Sequence, residues 1–222
     1  MRAVVAVAII AVLTAVGTWG ADEVSRQLDP DEQARFCFAQ DDLHPANAGE
    51  LSVRFQHGET TFALGAEVSF EVRYSHDAWI HILQADRNGL ALLWPVGRSK
   101  SPNGAYQPFY CPGVSDRPIS LRANETITIP DKIRQELEAA GATKGPKLVA
   151  DVVSPGLFIV IATPREALLL DSDLKPSGDG AAPPLATDPA GCRRMLEAIK
   201  SNLLRKFPDG GFAVSVNAYD VI

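Results

Sequence analysis

Apolar and polar residues alternate with a period of two through the middle of this chain. Leu51, Val53 and Phe55 stand against Ser52, Arg54 and Gln56, and Val68, Phe70, Val72 and Tyr74 stand against Ser69, Glu71 and Arg73. Such a period puts successive side chains on opposite faces of a strand, one face buried and one wet. Trp79 to Ala85 is apolar on both faces apart from His81 and Gln84, which predicts a central strand. Ser75-His76-Asp77 and Asp86-Arg87-Asn88-Gly89 are polar breaks, and Asn88-Gly89 tolerates the positive φ of a tight hairpin turn. From Val68 to Pro95 the pattern therefore predicts three consecutive antiparallel strands, the last running from Leu90 to Trp94.

The alternation recurs beyond this stretch. Phe62 and Leu64 precede a break at Gly65, Ile119 to Ile129 regains strand character, and Leu148–Val153 and Leu157–Ala162 read as two apolar strands split by Ser154-Pro155-Gly156. Phe212, Val214 and Val216 against Ala213, Ser215 and Asn217 predict a last strand. Two segments have helical signals instead. Lys132 to Ala140 is opened by Pro130-Asp131, with Asp131 as cap, and closed by Gly141. Ala190 to Lys206 follows Asp188-Pro189 and places Met195, Ile199, Leu203 and Phe207 on one face. Many short strands with two helices predict a mainly β fold: an antiparallel β-sandwich, Greek-key or immunoglobulin-like, with two flanking helices. A closed barrel is the alternative topology.

The chain opens with Met1-Arg2 and an apolar run from Ala3 to Val16, broken only by Thr14. One positive charge, a short apolar run and small residues after it are the layout of a signal peptide, cleaved after Gly20 or after Gly17, with an uncleaved N-terminal anchor as the alternative. The run is shorter than the roughly 20 residues of a membrane-spanning helix. The expected organisation is a signal peptide over 1–20, an N-terminal segment over 21–48, a β-sandwich domain over 49–170, a Gly/Pro-rich linker over 171–189, and a C-terminal helix and strand over 190–222 that pack on the domain. Localisation is then periplasmic or secreted, with no membrane span once the signal is removed. The net charge of -6 becomes -7 when Arg2 leaves with the signal, which argues against nucleic acid or anionic lipid as a partner. Export makes a disulfide plausible among Cys37, Cys111 and Cys192, and a bridge from Cys37 to Cys192 would tie both ends of the domain together. Bridges involving Cys111, or three thiols, are the other arrangements.

Gly97 to Ser115 breaks the strand pattern. It is rich in Gly, Pro and Ser and carries Tyr106, Phe109 and Tyr110, with Trp94 just before and Arg98, Lys100 and Arg117 adding charge. Long loops inside domains are often functional, and aromatic and Arg side chains are enriched in binding hot spots. Trp94, Arg98, Tyr106, Phe109 and Tyr110 are therefore the candidate binding residues; the alternative is that these aromatics cap the core. Catalytic signals are thin. His44, His57, His76 and His81 form no cluster with zinc spacing, so no metal or other cofactor is expected. His76-Asp77 has the composition of an oriented general base but also of a polar turn, and Cys111 would need a nearby base to act as a nucleophile.

The order of elements from Leu51 to Leu170 resembles the bacterial domain-of-unknown-function family numbered 4384. The matching pieces are Gly65 before Val68-Ser-Phe-Glu-Val, then Ala78-Trp-Ile-His-Ile-Leu-Gln-Ala-Asp-Arg-Asn-Gly, Leu90-Ala-Leu-Leu-Trp-Pro, Ile127-Thr-Ile-Pro and Gly156-Leu-Phe-Ile-Val-Ile-Ala-Thr-Pro-Arg-Glu. They cover about half of the mature chain, and the tail from Asp171 to Ile222 lies outside them. The resemblance implies an accessory or binding module of the bacterial envelope and carries no catalytic motif. The expected function is a non-catalytic module binding an envelope protein, peptide or glycan. A cysteine- or histidine-dependent hydrolase and a structural subunit of an envelope or secretion assembly are the alternatives. A subunit would leave the Met195–Phe207 face or the Phe212–Val216 strand uncovered.

Overall fold

The computed structural model describes residues 50–86, 89–95, 114, 117–141, 147–150, 153–167, 169 and 189–222. These form a mainly β protein with nine strands and two α-helices among the described residues. The strands are β1 (Leu51–Phe55), β2 (Thr61–Phe62), β3 (Phe70–Tyr74), β4 (Ala78–Asp86), β5 (Gly89–Trp94), β6 (Ile119–Leu121), β7 (Thr126–Ile129), β8 (Pro155–Thr163) and β9 (Ala213–Val221). The helices are α1 (Asp131–Ala139) and α2 (Pro189–Lys206).

Two sheets result. The smaller has the order β1-β3-β7, antiparallel throughout. The larger has the order β2-β9-β8-β4-β5, with β6 also on β4. It is mixed, because β2 pairs with β9 in parallel. One core contains Phe55, Phe70, Val72 and Tyr74 from the small sheet and Ile80, Ile82, Phe158, Val160, Tyr219 and Val221 from one face of the large sheet. A second core joins the other face of the large sheet, through Leu83, Ile159, Ile161 and Val214, to Leu196, Ile199, Leu203 and Phe207 of α2. Strand alternation explains the split: Ile80 and Ile82 point one way from β4, Leu83 and Ala85 the other.

This arrangement corrects the expected three-strand run. β4 and β5 do form a hairpin, closed by the Asp86–Gly89 pair with Gly89 at φ 115°. β3, however, belongs to the other sheet. The backbone around Ser75-His76-Asp77 finds its partners elsewhere: Ser75 N–H donates to Glu50 O (3.2 Å), Asn124 N–H donates to Tyr74 O (2.8 Å), and the Asp77 carboxylate accepts from Ala123 N–H (2.7 Å). The three polar residues are thus a crossover between sheets. Of the expected strand Leu148–Val153, residues 148–150 do not form a regular strand, and residues 151 and 152 lie outside the described residues. Residues 148–150 make an isolated bridge, Glu67 to Val149, because their partner is only the short stretch beside Gly65, which has φ 85°. Pro130 rather than Asp131 holds the N-cap position of α1, and Asp131 lies in the first turn, where it pairs with Arg134.

β9 lies between β2 and β8, and so completes the large sheet. The α2 residues Leu196, Ile199, Leu203 and Phe207, and Phe212 and Val214 beyond them, are buried. Asn202 locks the helix to the chain after β8: its Nδ2 donates to Leu169 O (2.7 Å), and Arg205 donates to its Oδ1 (2.6 Å). Asn202→Ala leaves a buried carbonyl unsatisfied and is expected to destabilise the fold by about 1–3 kcal/mol. Urea unfolding of the variant checks this; an unchanged midpoint would show the bond to be dispensable.

Candidate functional site

β1 is an edge strand of the small sheet, and its hydrogen-bond register is fixed at both ends. Gln56 N–H donates to Ser69 O (3.0 Å) and Ser75 N–H to Glu50 O (3.2 Å). In an antiparallel ladder such pairs recur every second residue. Ser52 and Arg54 therefore bond to β3, while the main-chain groups of Leu51, Val53 and Phe55 point away from the sheet. β9 has a matching edge. Val221 N–H donates to Ser154 O (3.1 Å), whereas Asp220 N–H donates to Thr60 O (2.8 Å) and Ile222 N–H to Phe62 O (3.0 Å). The same alternation turns Val214, Val216 and Ala218 away from β8, and β2 covers only Asp220 and Val221.

These two edges border one open groove of about 780 Å³. Its walls include Val53, Arg54 and Phe55 on one side and Val216, Asn217 and Ala218 on the other. The chain crosses its end through His57 and Gly58, both at positive φ (61° and 70°), before joining β9 as β2. Val53 and Phe55 pack toward the first core. Asn217, whose Nδ2 donates to Ser215 Oγ (3.1 Å), adds polar surface. A smaller pocket of about 250 Å³ adjoins on the outer face of the small sheet, lined by Ser52, Arg54, Glu71, Arg73 and neighbours. Arg54 lies opposite Glu71 in register, and neither makes an ion pair among the described residues.

The expected site residues fare differently. Arg98, Tyr106, Phe109, Tyr110, Cys37 and Cys111 lie outside the described residues. Trp94 is buried in the first core at 1% exposure. A bulge in the β4–β5 ladder between Ile82 and Leu83 explains this: Leu92 pairs with Leu83 but Trp94 pairs with Ile82, so its ring turns from the α2 side to the small-sheet side. Trp94 is thus a core residue here and not a stacking surface. Cys192 is buried in the second core.

His44 lies outside the described residues, and the described histidines do not assemble a base. His76 Nδ1 is 2.8 Å from Ser75 Oγ, while Asp77 accepts from Ala123 N–H, so the carboxylate does not orient the ring. His81 is fully buried on the α2 face of β4. Thr163 Oγ1 donates to Arg165 O (3.0 Å) and lies 3.4 Å from His81 Nε2, which makes Nε2–H the donor between them. Nδ1 has no hydrogen-bond partner among the described residues. Burial, aided by the nearby charge of Lys206, pushes the His81 pKa down to about 3. This imidazole is neutral and walled in.

The groove was not foreseen from the sequence. Its two walls, at Val53–Phe55 and Val216–Ala218, are far apart in the chain, and each carries an ordinary strand pattern. The available signal was the pair Ser215 and Asn217, polar on the same face of β9 as buried Tyr219 and Val221. No family model, curated protein or solved structure matches this chain.

Proposed function

We propose that this chain is a non-catalytic binding module of the bacterial cell envelope, exported to the periplasm or beyond. The carrying observation is the groove between β1 and β9, whose two borders present main-chain donors and acceptors to a ligand. Its volume lies within the usual range of ligand sites, roughly 300–1,000 Å³. The signal-peptide-like layout of residues 1–20 supports export, and the resemblance to family 4384 supports an accessory role. We read the two sheets and their shared core as a β-sandwich. Arg98, Tyr106, Phe109 and Tyr110 belong to the same reading as a second contact region for a protein, peptide or glycan. The structural-subunit reading keeps the β9 edge at Val216 and Ala218, whereas the α2 residues Leu196, Ile199, Leu203 and Phe207 are buried within the protein itself.

Affinity capture from the native envelope tests this reading, using the chain from Ala21 and a Tyr106→Ala/Tyr110→Ala double variant. Capture of a defined partner by the wild type alone assigns binding to the loop. Capture by both assigns it to a surface other than Tyr106 and Tyr110, the groove being the first to vary. Capture by neither sinks the binding-module reading and returns Cys111 and the histidines to the search.

A further inference from the structure

We infer that the exposed face of α2 is a docking surface for the acidic segment of this same chain that precedes β1, residues 21–49. This docking goes beyond the binding-module reading and does not rest on it. The chain as a whole is acidic, at -6, yet α2 gathers Arg193, Arg194, Lys200, Arg205 and Lys206 against Glu197 alone. Its first turn holds no acidic residue to offset them. The helical period puts Arg193, Lys200 and Leu204 on one stripe and Arg194, Ser201 and Arg205 on the next. All six are exposed except Lys200, which is half-buried. Arg193, Arg194 and Lys200 make no ion pair among the described residues. The opposite face, with Leu196, Ile199 and Leu203, is buried in the second core. The helix therefore turns a basic surface outward and has no apolar face left with which to enter a lipid bilayer.

Charge complementarity selects the occupant. Residues 21–49 carry seven acidic side chains, with Asp29, Asp31 and Glu32 close together, against Arg26 and Arg35. The other long stretches outside the described residues match less well. Residues 96–113 carry Arg98 and Lys100 and no acid, and residues 170–188 carry four aspartates and Lys175, a smaller excess. The acidic segment joins the described fold at Glu50, immediately before β1. Its 29 residues can reach up to roughly 95 Å when extended, against roughly 27 Å for the length of an 18-residue helix. Every basic residue of α2 is within that span. A tethered segment also meets its site at a roughly millimolar effective concentration, which a free acidic partner must exceed to displace it. Single exposed ion pairs are weak, so the docking needs several acids at once and low salt.

Paramagnetic broadening in NMR tests this on the ¹⁵N-labelled chain from Ala21. A nitroxide is placed by Gln33→Cys, with Cys37→Ser and Cys111→Ser removing the other candidate thiols and Cys192 buried. At an ionic strength of about 0.01 M, where the Debye length is about 30 Å, the Arg193, Arg194 and Lys200 amides should be broadened. At about 1 M, where it is about 3 Å, they should recover. Arg193→Glu with Arg194→Glu should lower the docked fraction about tenfold. Both arginines are exposed, so the second core stays intact. Adding Asp29→Lys, Asp31→Lys and Glu32→Lys to that variant should restore the broadening, a rescue that a merely structural role of the arginines would not give. Absence of broadening at low salt, broadening that survives 1 M salt, or failure of the swapped charges to restore it overturns the inference. A mixture of nitroxide-bearing unlabelled chain with ¹⁵N-labelled chain should show no broadening; if it does, the occupant is a second copy. If phosphatidylglycerol vesicles shift the α2 amides where the nitroxide does not broaden them, the face belongs to a lipid surface and the inference fails.

Discussion

Gly156→Ala is expected to destabilise the protein by about 3 kcal/mol and lower Tm by about 10 °C, the largest effect of any single-methyl change we identify. Gly156 in β8 sits directly opposite Tyr219 in β9. A Cβ at this position would lie 2.4 Å from Tyr219 Cζ and 2.5 Å from its hydroxyl oxygen. Such contacts can be relieved only by moving the ring or the strand. The ring is held on several sides. It stacks on Phe158 (4.8 Å between centroids, 23°) and meets Phe55 and Phe62 edge-on at 6.2 Å each. Gln84 Nε2 donates to its hydroxyl (2.7 Å). Displacing Tyr219 therefore costs packing and a hydrogen bond together. A double-mutant cycle isolates the cause: with Tyr219→Leu in the background, Gly156→Ala should cost much less than it does alone. A wild-type-like melt of Gly156→Ala would mean that the strands relax at no cost and that the ring is not the constraint.

The Gly156–Tyr219 pair also marks how far the sequence was legible. Gly156 reads as a break between two apolar strands, yet it lies inside β8, which begins at Pro155. Only the cross-strand partner explains the glycine, and that partner is 63 residues away. The same limit applies elsewhere. The strand character of Phe70–Tyr74, Ala78–Asp86 and Gly89–Trp94 follows from local alternation, as does the apolar face of α2. Pairing does not. Whether Ser75–Asp77 turns a hairpin or crosses between sheets depends on Glu50 O, which accepts from Ser75 N–H, on Asn124 N–H, which donates to Tyr74 O, and on Ala123 N–H, which donates to the Asp77 carboxylate. The parallel pairing of β2 with β9 depends on the bend at His57 and Gly58. Trp94 shows the effect on a site prediction: an aromatic next to a polar loop suggests a binding surface, and one bulge in a ladder places it in the core. The groove has the same origin. Each wall is an unremarkable amphipathic strand, and the site exists only because two edges meet.

Acid should weaken this fold through His81 as pH falls below the ordinary histidine range. Its pKa in the folded protein is pushed down to about 3 because the ring is fully buried, with Lys206 adding a like charge. In the unfolded chain the ordinary value is about 6.5. Between these values the unfolded state binds a proton that the folded state refuses, so stability rises with pH across the interval. The contribution is complete above the unfolded value and is lost as pH falls from there toward the folded one. At pH 5 the loss is about 2 kcal/mol, and it approaches about 5 kcal/mol near pH 3. Glu67 adds to acid loss only at lower pH, since Arg134 and Lys147 hold its carboxylate below its ordinary value. Measurement between pH 7 and pH 5 therefore isolates histidine. His81→Leu keeps an apolar side chain of similar size on the α2 face and leaves Thr163 bonded to Arg165 O. His44, His57 and His76 remain in both proteins. Urea unfolding should show the wild type losing about 2 kcal/mol over this range and the variant losing little. Equal losses in the two would mean that His81 gains a proton without penalty, and that the interface between α2 and the large sheet is more open than its packing indicates.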